Sequence, residues 1–166
     1  DAGSLQRLPN PVLPGCERPY SILVTGIGGT GVITIGGVLG MAAHLEGKGV
    51  GIIDMAGLAQ KGGAVYSHIR IAKSPDDIHA IRMAAGGCDL VLGGDMVVAG
   101  NKKVLATVKH GATRIIANLA EFLPGDFTRN ADFSLPSERL KRAIANAAGP
   151  GHCHFVDAAK LATALL

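Results

Sequence analysis

The residues best suited to chemistry are a group of glycines early in the chain and an acid that follows them. Gly26, Gly28 and Gly31 fit the pattern G-x-G-x-x-G directly after the apolar run 22–24, and Asp54 follows a second apolar run. In dinucleotide-binding folds such glycines form the turn from the first strand into a helix, whose N-terminus binds phosphate. An acid about 20 residues further on binds the ribose there, so the spacing is compatible with NAD or FAD.

The same glycines have a second interpretation that needs no ligand. Gly26 allows a sharp turn out of the strand, Gly28 removes a side chain where another backbone could approach, and Gly31 lets the helix pack closely on the strand. Gly29 completes the turn. Close packing alone therefore explains the pattern as well as dinucleotide binding does, and the glycines leave both possibilities open.

The elements around the glycines resemble half of a doubly wound fold, with one departure. The sequence predicts a strand over 20–25, a helix over 29–46 that Gly47 and Gly49 end, and a second strand over 50–53 that stops at Asp54. The next strand-like run, 64–72, begins only about nine residues later, whereas a parallel crossover needs a dozen or more. We therefore expect an antiparallel or edge strand and a mixed sheet.

The loop before that strand also has chemical potential. Gln60 and Lys61 precede Gly62 and Gly63, so a positive charge lies beside backbone N–H groups that could bind an anion. A solvated loop tip is the alternative. In the strand itself, alternation places Tyr66, His68 and Arg70 on one face, which is typical of an interface or the rim of a site.

The rest of the chain predicts a continued alternation of strands and helices. Gly36 and Gly40 lie on one side of the first helix and predict a close packing partner. The remaining predicted elements are a helix over 77–84 capped by Ser74 or Asp76, a strand over 88–92 ending at Gly93, Gly94 and Asp95, a helix over 96–110 with a break at 101–102, a strand over 113–117 ending at Asn118, a surface connection over 121–136, a helix over 137–148 capped by Ser137, a strand over 152–156, and a last helix capped by Asp157.

Composition limits the function classes. The 166 residues suit one domain, with 48% hydrophobic and 4% aromatic residues and a net charge of +3. The mild charge without basic runs gives little support to nucleic-acid binding. The uncharged stretch 21–45 is interrupted by glycines and is better explained by a strand, a turn and a helix than by a membrane span. We predict one three-layer α/β/α domain with a Rossmann-like mixed sheet over residues 20–166.

The N-terminal residues and the cysteines indicate the context in which the domain occurs. Residues 1–19 hold four prolines and predict a linker or surface strap, and the start at Asp1 indicates a piece of a longer or processed chain. The three cysteines lack a C-x-x-C pattern and favour a reducing compartment, the cytoplasm. His152, Cys153 and His154 alternate on a strand, and strand packing is a better interpretation than a metal site because no further ligand is evident.

The segment 26–72 resembles the gamma domain of the 2-oxoacid:ferredoxin oxidoreductases. The features that carry the resemblance are the G-x-G-G-x-G turn, the acid after strand two and GLAQKGG before a strand, and they are most similar to the fused indolepyruvate branch. DLVLGGD (residues 89–95) and FTRN (residues 127–130) extend the similarity more loosely over most of residues 20–160.

The resemblance implies a function for the whole enzyme and an accessory role for this domain. Such enzymes use thiamine diphosphate to decarboxylate a 2-oxoacid, pass electrons through iron–sulfur clusters to ferredoxin and transfer the acyl group to coenzyme A. The thiamine and cluster sites are expected on other domains, so this domain is expected to assemble with them, to cover the active site and to lie near coenzyme A, with no catalytic residue of its own. The resemblance assigns the turn and the partner-facing side to Gly26, Gly28, Gly29, Gly31, Asp54, Gln60, Lys61, Gly62 and Gly63.

Overall fold

A computed structural model describes residues 10–13, 15–57, 63–120 and 136–165, which form a six-stranded sheet with helices on both faces. The order of the strands in the sheet is β2-β3-β1-β4-β5-β6. The elements are β1 (Tyr20–Ile27), α1 (Val32–Leu45), β2 (Gly49–Ala56), β3 (Ala64–Ala72), β4 (Leu90–Gly93), α2 (Met96–Ala99), α3 (Lys102–Leu105), β5 (Arg114–Asn118), α4 (Ser137–Ala148), β6 (Cys153–Val156) and α5 (Ala158–Leu165).

The third strand is inserted between the first two and is antiparallel to both. Tyr66 of β3 pairs with Thr25 of β1 on one side and with Met55 of β2 on the other. The sequence therefore predicted the antiparallel strand and the mixed sheet correctly. It is not an edge strand, because β2 occupies the edge. The short connection after β2 is possible because an antiparallel neighbour needs no crossover.

Helix α1 packs against this half of the sheet through its smallest residues. Val32, Gly36, Gly40 and Ala43 are its buried positions. A Cβ added at Gly36 would lie 2.5 Å from the Ser67 Oγ of β3, and one at Gly40 would lie 2.5 Å from the Cδ1 of Ile52 on β2. The predicted close packing partner is therefore the sheet itself, and the two glycines set the distance between helix and strands.

The other half of the sheet is parallel and is covered on the opposite face. β1, β4, β5 and β6 run in the same direction. Helices α2, α3 and α4 contribute Ala99, Val104 and Ile144 to one core cluster with Leu23 of β1 and Ile115 of β5. A second cluster lies on the α1 side. The predicted three-layer α/β/α architecture is confirmed.

One predicted helix is wrong and another is shorter than predicted. Residues 77–84 form no α-helix: a short 3-10 turn, Pro75–Asp77, is capped by the Ser74 side chain, and the chain then crosses the sheet irregularly. The side chains of Ile78 and Ile81 lie against Gly51 of β2. This tertiary contact holds the segment in a non-helical conformation. The predicted helix 96–110 is divided into the short helices α2 and α3, and it ends at Leu105 rather than at 110.

Smaller corrections concern the ends of elements. The break predicted at 101–102 is present, because Asn101 caps α3 through its side chain. Helix α4 has the predicted bounds, with Pro136 and not Ser137 at the N-cap position. Asp157 accepts a hydrogen bond from the Lys160 N–H, 3.0 Å, as expected for a cap of α5. None of the described helices is long and apolar enough to cross a membrane. The predicted connection 121–136 lies almost wholly outside the described residues.

Candidate functional site: the carboxyl edge of β1 and β4

The chain changes direction across the sheet between β1 and β4. From β1 it proceeds through α1 on one face toward β2, and from β4 it proceeds through α2 and α3 on the other face toward β5. The carboxyl ends of the two strands at such a switch point are where open α/β sheets bind their ligands. The glycine turn after β1 and the Gly93–Asp95 segment after β4 meet here.

Close main-chain packing explains two of the glycines at this edge. A Cβ at Gly26 would lie 2.8 Å from both the Thr30 Oγ1 and the Val32 Cγ2. The Gly94 N–H donates to the Thr25 carbonyl, 2.6 Å, and a Cβ at Gly94 would lie 3.1 Å from that oxygen. Packing within the chain, on side chains at Gly26 and on main chain at Gly94, therefore explains both glycines without a ligand.

The outer part of the turn is open. Gly29 and Gly31 have φ of 94° and 82°, a region that favours glycine, and an added Cβ at either would meet nothing within 4 Å. Gly31 is the N-cap of α1, without a side-chain cap. Within the turn the Thr30 N–H donates to the Ile27 carbonyl, 3.1 Å, and within α1 the first N–H to donate is that of Ile35, to the Gly31 carbonyl. The N–H groups of Val32, Ile33 and Thr34, in the first turn of α1, have no intrahelical acceptor and lie at the positive end of the helix dipole.

A hollow of about 280 Å³ lies at this helix start. Its lining combines the turn with the first residues of α1 and with Val65 of β3. The hydroxyl of Thr30 does not contribute to it as a free donor, because it donates to the Ile27 carbonyl, 2.6 Å. The hollow thus offers backbone N–H groups and apolar side chains, which suit a phosphate or carboxylate attached to an organic group.

The structure separates Asp54 from the turn. Asp54 pairs with Ser67 of β3, which in turn pairs with Val24 of β1, so two strand spacings, about 10 Å, lie between Asp54 and β1. The strand also continues two residues past Asp54, to Ala56, so the acid does not end it as predicted. In a dinucleotide-binding fold the acid belongs to the strand beside β1, so this arrangement differs from that fold.

The end of the lysine loop is joined to the glycine turn. The Gly28 N–H donates to the Gly63 carbonyl, 2.9 Å, and the Gly57 N–H donates to the Ala64 carbonyl, 2.8 Å. The structure thus brings Gly28 and Gly63 together, and the Gly28 N–H is already occupied by this bond. Gln60, Lys61 and Gly62 lie outside the described residues, between these two anchored points of the loop.

Asp95 is a buried acid at the same edge that sequence patterns alone did not single out as a site residue. It is 0% exposed, and its Oδ1 accepts from the Val98 N–H, 2.8 Å, as the N-cap of α2. Its Oδ2 and the Oγ1 of the equally buried Thr25 have no hydrogen-bond partner among the described residues. Burial raises the pKa of Asp95 above its usual value, although the N–H groups of Val98, Val97 and Ile27 act in the opposite direction. The strand–glycine–acid pattern was its one sequence signal.

Comparison with known proteins identifies the family. The model of the pyruvate ferredoxin/flavodoxin oxidoreductase family matches residues 21–165, nearly the whole chain. This chain belongs to that family. The resemblance of the glycine turn and the GLAQKGG segment to the gamma domain of 2-oxoacid:ferredoxin oxidoreductases is thereby confirmed.

Curated relatives in this oxidoreductase family agree with the indolepyruvate branch. The chain is 32% identical over 82 residues to the indolepyruvate oxidoreductase subunit IorB of Pyrococcus horikoshii, covering 49% of this chain and 39% of that protein. It is 37% identical over 73 residues to the IorB subunit of Methanothermobacter thermautotrophicus, covering 44% of this chain and 35% of that protein. The matched part therefore spans less than half the length of these relatives.

Solved oxidoreductase structures share the fold. The pyruvate oxidoreductase subunit PORC of Thermotoga maritima superimposes with a TM-score of 0.60 at 17% identity, over 89% of this chain and 67% of that one. The 2-oxoglutarate:ferredoxin oxidoreductase of Magnetococcus marinus, solved with 2-oxoglutarate, coenzyme A and succinyl-CoA bound, gives 0.61 at 16% identity, over 90% of this chain and 22% of that one. In the second protein the shared fold is thus a small part of a much longer chain.

Among the described residues, no group of three or more His, Cys, Asp or Glu side chains is placed so that it could hold a metal ion. Cys88 is buried, and burial raises the pKa of its thiol to about 12. Burial also raises the pKa of Cys153. Both cysteines are therefore protonated at neutral pH. Cys88 belongs to the core cluster of Leu23 and Ile115 and Cys153 packs against that cluster, which indicates a packing role.

Replacing Asp95 with asparagine is expected to make the stability of the domain less sensitive to pH. The raised pKa means that the folded state binds the proton more tightly than the unfolded state, so the contribution of Asp95 to stability is lost as pH rises from about 4 through its folded pKa. The asparagine side chain keeps the cap acceptor without the buried charge, and we expect Asp95→Asn to stabilise the domain by about 1 kcal/mol at pH 7.

Urea unfolding of both proteins at several pH values measures this difference. Asp89 makes stability change with pH in the opposite direction. Burial raises its pKa, but the hydrogen bonds from Arg18 and from the Ser21 N–H outweigh burial, so the pKa is lowered overall. The informative quantity is therefore the difference between variant and parent, in which Asp89 cancels. A variant that is less stable than the parent at pH 7, or a difference that stays constant with pH, contradicts the prediction.

Proposed function

We propose that this chain is the gamma domain of a thiamine-diphosphate-dependent 2-oxoacid:ferredoxin oxidoreductase, in which it has an assembly role and borders the coenzyme A site. The family supports the oxidoreductase class, and the curated relatives support indolepyruvate as the oxoacid. In the full enzyme the oxoacid loses carbon dioxide, two electrons pass through iron–sulfur clusters to ferredoxin and the acyl group forms a thioester with coenzyme A.

The observation that carries the assembly role is the outer face of α1. A solvent-exposed helix normally presents charged residues outward. Here no charged residue occurs from Ser21 to Leu45, and Val38, Met41 and Leu45 are 64%, 58% and 78% exposed. Ile33 and Ile35, on the two flanks of the helix, add exposed apolar area at 54% and 42% exposure. We call these five residues the α1 face.

The α1 face fits a partner domain of the same oxidoreductase. Five large exposed side chains along a helix of 14 residues together expose apolar surface on the order of 500 Å², and exposed apolar surface of this size is typical of interaction sites. The fold accounts for only 22% of the longer chain of the Magnetococcus enzyme, so domains of this kind exist within larger assemblies. A thiamine-bearing domain of this enzyme is the occupant that we propose.

The hollow at the start of α1 supports a position near coenzyme A. Its free N–H groups and the open positions at Gly29 and Gly31 are suited to one phosphate group of the cofactor. Gly63 connects the lysine loop to this edge, so we propose that Lys61 approaches the same phosphate. Coenzyme A would supply the thiol that accepts the acyl group, and this chain's part is to bind and orient the cofactor.

The remaining cofactors are proposed to lie on other domains. Thiamine diphosphate would provide the carbanion chemistry, and iron–sulfur clusters would carry the electrons. The described residues offer neither a cysteine set nor a carboxylate set for these groups. The partners are therefore the other domains or subunits of the enzyme, with ferredoxin as the electron acceptor of the whole. Three free cysteines suit a reducing cytoplasm.

A free-standing NAD- or FAD-binding protein is the alternative, and the geometry gives it less support. β3 separates Asp54 from the glycine turn, and the Gly28 N–H is bonded to Gly63. Asp54 is therefore too far from the turn to bind a ribose there, and the Gly28 N–H is not free to bind a pyrophosphate.

Calorimetric titration of the purified chain with coenzyme A, NAD, FAD and thiamine diphosphate tests the proposal. We expect weak binding of coenzyme A and none of the other three, because the hollow can hold one phosphate group while the rest of the cofactor needs a second domain. The chain alone is expected to show no turnover of indolepyruvate with coenzyme A and ferredoxin.

Two outcomes would count against this function, and a third would remove one residue from the proposed site. Tight NAD or FAD binding would favour the alternative. Turnover of indolepyruvate by the chain alone would contradict the accessory role. Coenzyme A binding that persists unchanged in Lys61→Gln, with Lys73→Gln as the control at a lysine in a different loop, would remove Lys61 from the proposed site.

A further inference from the structure

A second cavity lies on the sheet face opposite α1, away from the glycine turn. We call it the rear cavity. It has a volume of about 350 Å³, and it is bounded by strands β1, β2 and β3, by the irregular segment before β4 and by α3. Pockets that bind small metabolites begin at about this volume. Nothing in the proposed assembly or coenzyme A role uses this face.

The interior of the rear cavity is largely apolar. Leu23 of β1 and Val104 of α3 are each 1% exposed, and Met55 and Met83 line the space between them. Methionine side chains adapt their shape to an apolar ligand. The cavity therefore suits a ligand with a compact hydrocarbon or aromatic body.

Two hydrogen-bond donors are available inside it. His68 is 7% exposed, and its Nδ1 accepts from the Met83 N–H, 3.3 Å. Burial and the nearby charge of Arg82 lower the pKa of His68, so the ring is neutral at pH 7 and its proton lies on Nε2. Tyr66 lines the cavity beside it with a protonated phenol, whose pKa burial raises.

The charge of the rear cavity is positive. Arg82 and Lys103 are the charged residues of its lining, and both are exposed. Within the described ranges neither one forms an ion pair; the pairs there are Arg18–Asp89, Lys48–Glu46 and Lys141–Glu138. Two unpaired cations on the exposed side of an apolar cavity attract an anion whose remaining atoms are apolar.

We propose that the rear cavity binds a small organic carboxylate. The apolar body of the ligand packs on Leu23, Met55 and Met83, and its carboxylate pairs with Arg82 and Lys103. A carboxylate fits better than a phosphate, because most of the lining is apolar and the two cations are flexible side chains in place of a backbone N–H cradle. The His68 N–H can donate to a further polar substituent of the ligand.

A titration of the ¹⁵N-labelled chain with phenylacetate, followed by NMR, tests this proposal. We expect saturable chemical-shift changes confined to residues that line the rear cavity, including the amides of Met83 and Val104. The expected Kd is about 1 mM, which is typical of a ligand of this size at a partly open site. 2-Phenylethanol, the neutral analogue of the same shape, is expected to bind at least tenfold more weakly.

Matched variants identify the cations. Lys103→Gln and Arg82→Gln are each expected to weaken phenylacetate binding about fivefold. Lys102→Gln, the adjacent lysine of α3 outside the lining, is expected to leave the affinity unchanged. All three substitutions are at exposed positions, and the NMR spectrum of each variant shows directly whether it is folded.

The proposal is wrong if phenylacetate causes no saturable shifts at these amides, or if 2-phenylethanol binds as tightly as phenylacetate. If Lys102→Gln weakens phenylacetate binding as much as Lys103→Gln does, the effect is one of general surface charge, and the proposal is also wrong. If inorganic phosphate shifts the same amides at an affinity equal to that of phenylacetate, the site is one for a bare anion and the carboxylate proposal fails.

Discussion

Replacing Val38 with aspartate is expected to abolish copurification of this chain with the thiamine-bearing domains that we propose as its partners, while leaving its own fold intact. Val38 lies near the middle of α1 and is 64% exposed, so the free domain accommodates a charge there in water. In an assembled enzyme the same charge would be buried in an apolar interface without a partner. That burial costs several kcal/mol, and we expect the affinity to fall by at least about 100-fold.

Affinity capture from cells that coexpress the complete set of domains measures the effect. Val38→Ala is the matched control: it shortens the same side chain without adding charge, and we expect it to retain most of the complex. Thermal unfolding of the isolated variants must show that Val38→Asp keeps the stability of the parent within about 1 kcal/mol, as is usual for an exposed position.

Two results would contradict the docking proposal. One is full retention of the complex by Val38→Asp. The other is a dimer of the isolated chain that Val38→Asp converts to a monomer while capture of the thiamine-bearing domains is unaffected. In that case the α1 face would bind a second copy of this chain, and the assembly contacts would lie elsewhere.

Local patterns in the sequence were sufficient for much of the fold. The strand 64–72 was predicted with the bounds that the structure shows, because alternation defined it and the short connection before it excluded a crossover. The bounds of helix α4 were also predicted correctly, over 137–148, from the start signal at Ser137, although Pro136 is at the N-cap position. These features depend on residues close together in the chain, so sequence analysis can recognise them.

Features that depend on distant residues were missed. The helix predicted over 77–84 failed because Ile78 and Ile81 pack on Gly51 of β2, a contact across about 30 positions that competes with local helical bonds. The ribose-binding role suggested for Asp54 assumed that β1 and β2 are neighbours, and the insertion of β3 between them removed that assumption.

The candidate site was only partly predictable for the same reason. The turn glycines were identified as a group, but the sequence could not separate Gly26, which packs on Thr30 and Val32, from Gly29 and Gly31, which are open. The buried acid Asp95 needed the sheet order, since its burial depends on β1 and α2 together. The rear cavity combines residues from five separate segments, and no local pattern brings Tyr66, Arg82 and Lys103 together.

Gly49 gives the strongest stability prediction of this kind. Its sequence position after α1 indicated a helix terminator, but Gly47, with φ 70°, ends the helix, while Gly49 is the first residue of β2. A Cβ at Gly49 would collide with the main-chain atoms of Ser74 and Pro75, which cross directly over it. Main chain cannot rotate away as a side chain can, so the sheet edge or the Ser74 turn must move.

Gly49→Ala is therefore expected to destabilise the domain by about 3 kcal/mol and to lower its Tm by roughly 10 °C. Gly37→Ala is the matched control, because an added Cβ there meets nothing within 4 Å and α1 gains helix propensity, which should stabilise the domain by about 0.5–1 kcal/mol. Differential scanning calorimetry of both variants measures the contrast. Equal Tm values for Gly49→Ala and the parent would show that the main chain at Ser74 and Pro75 can move at little cost. The close approach of that main chain would then not explain why a glycine begins β2.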